Sequence, residues 1–90
     1  MDATLGLIRR IGLVPVVKLG SVEAALPLAK ALASGGIPLA EITFRTDAAE
    51  EAIRRISAEA PEILVGAGTV LTVDQARRAA KAGARFLVAP

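Results

Sequence analysis

Four apolar runs of strand length recur along the chain, beginning near residues 13, 39, 63 and 86, with helix-patterned segments between them. That spacing, roughly 25 residues, is the length of one right-handed βα crossover unit. A strand that returns in the same direction after a single helix can pair only in parallel. The order βαβαβαβ, after a short leading helix, therefore implies an α/β fold with a parallel sheet. Two architectures satisfy it: a small open parallel sheet, or about four βα units of a (βα)₈ barrel, a half barrel. In both, chemistry collects at the C-terminal ends of the strands. A length of 90 residues allows one domain spanning 1–90, with a modest core.

The elements follow from periodicity and punctuation. Leu5, Ile8 and Ile11 predict an amphipathic helix stopped by Gly12. Leu13 to Lys18 predicts a strand, and Pro15 within it points to an edge or an end position. Ser21 is placed to cap a helix running to about Ala33 with Val22, Ala25, Leu26, Ala29 and Leu32 inward, kinked at Pro27. Thr46 or Asp47 is placed to cap the next helix, whose Ala49, Ala52, Ile53 and Ile56 face inward and which Pro61 closes. Ile63 to Ala67 predicts the third strand, leading into a loop Gly66–Val70. Thr72 and Gln75 form a capping box, and the helix behind them ends at Gly83 in the left-handed region. Phe86 to Ala89 predicts a fourth strand. The segments Ser34–Leu39 and Lys81–Phe86 read as two copies of one helix-to-strand connector.

The second strand carries the unusual chemistry. In Leu39-Ala40-Glu41-Ile42-Thr43-Phe44-Arg45-Thr46, alternation puts Glu41, Thr43 and Arg45 on one face and Ala40, Ile42 and Phe44 on the other. A buried parallel strand is normally apolar on both faces, and buried charge is costly unless it is paired or used. A structural Glu41–Arg45 ion pair, a half-exposed edge strand and a functional site all fit this pattern. Lys18, Arg45, Thr69 and Pro90 fall at or just past the four strand ends, and that convergence favours a site.

Composition narrows the chemistry. The chain has no Cys and no His, which removes thiolate and imidazole catalysis and ordinary zinc ligation. No carboxylate spacing suggests a metal site, and no cofactor is expected. Proton transfer falls to Glu, Asp, Lys or water. Two Phe are the only aromatics, and 11 basic residues stand dispersed against 9 acidic ones, which argues against nucleic acid. The start lacks a basic leader and no apolar run approaches a membrane span, so a cytoplasmic protein is expected, with no membrane partner. Gly66-Ala67-Gly68-Thr69 lacks the third glycine of a dinucleotide fingerprint and the Lys-Ser/Thr of a P-loop. It reads as a turn where backbone approaches a neighbour, or as an anion cradle. Lys18 is the one lysine near a strand end, an anion contact or a solvent-exposed cation, whereas Lys30 and Lys81 belong to helices.

Pro15-Val16-Val17, the 39–46 stretch, Val65-Gly66-Ala67-Gly68-Thr69-Val70 and Phe86-Leu87-Val88-Ala89-Pro90 together resemble the 2-keto-3-deoxy-6-phosphogluconate (KDPG) and 4-hydroxy-2-oxoglutarate aldolases. The resemblance covers nearly the whole chain, in order. It implies a (βα)₈ barrel, usually a homotrimer, acting as a class I lyase that cleaves KDPG to pyruvate and glyceraldehyde 3-phosphate. It also implies roles: Glu41 as general acid/base, Arg45 holding the substrate carboxylate, and Thr69 and Pro90 lining the pyruvate pocket. The family's Schiff-base lysine comes from its sixth strand, and Lys18 does not match that position. The 90 residues thus resemble the N-terminal half, expected to be inactive alone and to associate with a complementary half barrel or with further copies. A non-catalytic half barrel serving folding or assembly is the alternative.

Overall fold

A computed structural model of the chain describes residues 3–90; Met1 and Asp2, the start of the segment read above for a leader, lie outside them. A helix α1 (Ala3–Ile11) precedes strand β1 (Val16–Val17), helix α2 (Ala25–Ser34), strand β2 (Leu39–Thr43), helix α3 (Ala49–Glu59), strand β3 (Leu64–Gly68) and helix α4 (Val73–Ala82). The three strands form one parallel sheet in the order β1-β2-β3. Val16 lies opposite Glu41, and β2 and β3 are matched from Leu39–Leu64 through Thr43–Gly68. The protein is α/β, as expected. No helix among the described residues is long and apolar enough to cross a membrane.

The core lies on one face of the sheet. Ala40, Ile42, Val65 and Ala67 point to that side and pack with Ala25 and Ala29 of α2, the α3 set Ala49, Ala52, Ile53 and Ile56, and Ala79 and Ala82 of α4. The α3 residues are the four that its periodicity selected, and Ile53 and Ile56 are fully buried. Such side chains each contribute about 1.5–3 kcal/mol. The small side chains of α2 let that helix approach β2 and α3, and those of α4 pack it against α3.

Several local expectations change. The first strand is only Val16–Val17, on the sheet edge, where Pro15 supplies its carbonyl to the Glu41 N–H at 2.9 Å and its missing donor costs nothing. Ser21 makes no capping bond; a 3₁₀ turn at Val22–Ala24 comes first, so α2 begins at Ala25. Pro27 then sits in the first turn, where no intrahelical donor is needed, instead of kinking a helix interior. Neither Thr46 nor Asp47 caps α3, whose N-cap position is Ala48. Thr46 instead donates its hydroxyl to the Leu19 carbonyl at 2.7 Å, tying the segments that follow β1 and β2. Leu5 of the predicted α1 stripe is 44% exposed, and Thr4 is the buried residue of that helix.

Other expectations hold. Thr72 accepts from the Gln75 N–H at 3.1 Å, and Gln75 Oε1 accepts from the Leu71 N–H at 2.7 Å. The two connectors match in geometry: Gly36 and Gly83 occupy the same place in each, with φ of 83° and 116°. The segment Phe86–Ala89 runs parallel beside β3 through one bridge, Ala67 to Leu87, supported by Val88 N–H to Ala67 carbonyl at 2.9 Å. It pairs where the fourth strand was expected but is not a regular strand.

Candidate active site

The face of the sheet opposite the core carries Leu39, Glu41 and Thr43 on β2 and Leu64, Gly66 and Gly68 on β3. Gly66 and Gly68 are not in a loop; they are the third and fifth residues of β3. The close approach read from them is present, and side chains make it. A β-carbon at Gly68 would overlap Glu41 Oε2 and lie 2.6 Å from Glu41 Cδ and 2.9 Å from Cγ. One at Gly66 would overlap the ring of Phe86. The Glu41 side chain therefore leans forward from its own register partner, Gly66, and lays its carboxylate over Gly68, while the Phe86 ring covers Gly66 from the other side.

Glu41 is 8% exposed, and burial pushes its carboxyl above the ordinary carboxylate value. No ion pair or side-chain hydrogen bond engages it among the described residues. The structural ion pair with Arg45 is thus not formed. Regular β2 structure ends at Thr43, so the alternation that would have aligned Arg45 with Glu41 stops in a turn, and Arg45 is exposed. The half-exposed edge alternative also fails, since all five residues of β2 are buried and β2 is the central strand.

Thr69 follows Gly68 directly and is half-buried. It is the one described non-glycine residue with positive φ, at 53°. That conformation costs a residue with a β-carbon about 1–2 kcal/mol. Lys18 is exposed immediately after β1, and Pro90 is exposed two residues beyond Val88. Thr69 thus directly follows the glycine over which the Glu41 carboxylate lies, and Lys18, Arg45 and Pro90 are exposed at or beyond the C-terminal ends of their segments. No group of three His, Cys, Asp or Glu side chains gathers as metal ligands among the described residues. A cavity of about 320 Å³ lined by Phe44, Thr46, Asp47, Glu50, Gln75 and Arg78 does not include Glu41.

Two participants escaped sequence reasoning. Gly68 makes room for the carboxylate, and the signal was available: glycines two apart on one strand face the same way, beside a strand with Glu-x-Thr alternation. The other is Thr43, 1% exposed, whose hydroxyl has no hydrogen-bond partner. A buried carboxyl without a fixed counter-charge, held above the ordinary carboxylate value by burial, can exchange a proton with a molecule bound beside it.

Comparison with known proteins identifies the family. Residues 6–90 match the family model for KDPG and KHG aldolases. The chain is 54% identical over 83 residues to the 2-dehydro-3-deoxy-phosphogluconate aldolase of Treponema pallidum, covering 92% of this chain and 40% of that protein. It is 48% identical over 77 residues to the KHG/KDPG aldolase of Escherichia coli, covering 86% of this chain and 36% of that one. Among solved structures, the KDPG aldolase of Zymomonas mobilis with 3-phosphoglycerate superposes with a TM-score of 0.87 at 39% identity, over 97% of this chain and 41% of that chain. The Legionella pneumophila KDPG aldolase, with pyruvate captured as a covalent carbinolamine, superposes at 0.82 and 44% identity, over 86% and 37% of the two chains. The 90 residues thus span about two-fifths of the relatives they match, and the chain belongs to the KDPG and KHG aldolase family.

Proposed function

We propose that residues 1–90 form the N-terminal half of a class I aldolase barrel and supply the acid/base part of its site. The observation that carries this reading is the Glu41 carboxylate, buried without an ion-pair partner on the face opposite the helices and seated over Gly68. In the cleavage direction, a base takes the proton of the hydroxyl, its oxygen forms the aldehyde carbonyl, and the electrons of the breaking carbon–carbon bond form the enamine double bond as the protonated Schiff-base nitrogen takes up the imine pair. Glu41 is that base, and it returns the proton to the enamine or to water. A carboxyl raised by burial is suited to both directions, because acid/base transfer works best when the pKa lies close to the operating pH.

The remaining roles follow the family resemblance. Arg45 holds the substrate carboxylate, for which guanidinium geometry is apt. Thr69 and Pro90 line the pyruvate pocket, and Lys18 adds an anion contact. The substrate is a keto acid of the KDPG class, and the Schiff-base lysine comes from a complementary half barrel. Val16, 65% exposed, and Leu87, 45% exposed, lie on the two free edges of the sheet and favour closure against such a half. The same edges suit the second reading, a non-catalytic assembly module.

A chimera separates the two. Residues 1–90 replace the matching segment of the Escherichia coli KHG/KDPG aldolase, and pyruvate release is followed by coupled NADH oxidation. The chimera is expected to cleave KDPG, and Glu41→Gln is expected to lower kcat by about 10²–10⁴-fold. The 90-residue chain alone is expected to show no turnover and no borohydride-trapped pyruvate. A folded chimera that is inactive, or that ignores the Glu41 substitution, rejects the acid/base assignment.

A further inference from the structure

Thr43 is the feature of this face that no role above uses. Its side chain is 1% exposed, and its hydroxyl is sealed from solvent without a hydrogen-bond partner. Leaving a buried hydroxyl unpaired is unfavourable, and such groups call for an explanation. The residue is not needed for packing, because valine has the same shape without the unpaired oxygen.

The register supplies an explanation. Thr43 is two residues from Glu41 on the same strand, so both side chains project from one face. Thr43 lies directly opposite Gly68, and Gly68 is the residue over which the Glu41 carboxylate is laid. The carboxylate has therefore moved forward along the sheet to the level of Thr43, one strand over. No described side chain engages that carboxylate from β1, β3 or the 85–88 segment, and Arg45 is exposed in the turn beyond. An unpaired sealed donor thus stands in register with the glycine over which an unpaired carboxylate is laid.

We infer that Thr43 is the positioning residue for Glu41: turning about its χ1, it donates its hydroxyl to the ionised carboxylate and holds it over Gly68, and it releases the carboxyl when Glu41 carries the proton. Threonine permits this because its hydroxyl and methyl exchange places on rotation with little change of volume. The inference rests on the reading of Glu41 as the acid/base, and it concerns the carboxyl's own ionisation, which is measurable without turnover.

The test is carbon-13 NMR titration of the Glu41 carboxyl in the 90-residue chain, in wild type, Thr43→Val and Thr43→Ser. A hydrogen bond to the charged form favours that form, so Thr43→Val is expected to move the Glu41 midpoint to higher pH. Thr43→Ser, which keeps the donor, is expected to restore the wild-type midpoint. Urea unfolding above that midpoint is expected to show Thr43→Val no more stable than wild type. If Thr43→Val leaves the Glu41 titration unmoved and raises the urea midpoint, the hydroxyl is a mere unpaired group and the inference is overturned. Should the valine variant not fold, Thr43→Ala is read by the same titration with the same two outcomes. A titration shift in a chimera that ignores Glu41→Gln would reject the aldolase reading and leave this one standing. An unmoved titration in a chimera that needs Glu41 would do the reverse.

Discussion

Gly68→Ala tests the site through space alone. The backbone at Gly68 is not in the left-handed region, so alanine fits its conformation. Replacing such a glycine restricts the unfolded chain and stabilises by about 0.4–1 kcal/mol. Against this, the new β-carbon would stand 2.6 Å from Glu41 Cδ, where an ordinary carbon–carbon contact needs about 3.5 Å or more. The obstacle is the mobile end of a side chain, so the carboxylate swings away at an expense of about 0.5–1.5 kcal/mol in rotamer energy. The two effects nearly cancel, and the urea midpoint should move little. Far-UV circular dichroism is the readout, since the chain has no Trp or Tyr. The site, by contrast, should fail. A carboxylate displaced by close to 1 Å from a reacting group can lower the rate about 10²-fold, and the swing carries it toward solvent, where its titration midpoint falls toward the ordinary range. The assays are chimera turnover and the Glu41 carbon-13 titration. A folded Gly68→Ala variant that keeps both wild-type turnover and the elevated midpoint would refute the placement of the carboxylate over Gly68.

Two further outcomes follow from the same geometry. Burial raises the Glu41 carboxyl, so the native chain binds that proton more tightly than the unfolded chain; the linked stability is complete below the ordinary carboxylate range and is lost as pH rises through the raised value. Glu41→Gln should therefore match wild type in urea midpoint at acid pH and exceed it near neutrality, and an equal midpoint at both would count against the burial cost. Acid loss from Glu50, held low chiefly by the Arg78 hydrogen bond, is common to both chains and cancels in the comparison. Gly83→Ala combines a φ of 116° with overlap onto Ser57 Oγ and a 2.6 Å approach to Ser57 Cβ. It should destabilise by about 2 kcal/mol or more, measured by urea unfolding; a loss below about 0.5 kcal/mol would mean that the connector relaxes.

Where the chain's own neighbours in sequence decide a structure, the sequence was readable. Thr72 finds Gln75 three residues on, Gly83 ends α4, and the inward set of α3 is fixed by helical period. Distant partners defeated the local reading elsewhere. Thr46 has the right chemistry to cap α3, but its hydroxyl bonds the Leu19 carbonyl 27 residues away. The Glu41-Thr43-Arg45 alternation continues in sequence past the point where the strand stops. The Phe44 N–H still bonds the Gly68 carbonyl at 2.8 Å, and the turn that brings Thr46 to Leu19 begins there. Glu41 was legible as an anomaly because charge on a parallel strand is itself informative. Thr43 was not, since threonine is an ordinary strand residue until the register shows what its hydroxyl lacks.

The two faces of the sheet make opposite choices, and the difference bears on which site residues the fold itself supports. On the helix side every position of β2 and β3 is a packing residue: Ala40, Ile42, Val65 and Ala67. On the other side the same strands hold a buried carboxyl, an unpaired hydroxyl and two glycines, followed by a threonine in the left-handed region. Each is locally unfavourable: strand glycines weaken the strand, and the others oppose burial or backbone preference. Five such compromises gathered around Gly68 on two adjacent strands favour a working face over a purely structural one, because a valine at Thr43 would remove the unpaired hydroxyl and an apolar residue at Glu41 the buried carboxyl. Departures from local consistency are expected where a protein works. That reasoning reaches Glu41, Thr43, Gly68 and Thr69 without any appeal to relatives. It does not reach Lys18, Arg45 or Pro90, which are exposed and bear no such strain. Their roles follow from the family resemblance and from their place at the C-terminal ends of the strands, where chemistry collects in parallel α/β folds.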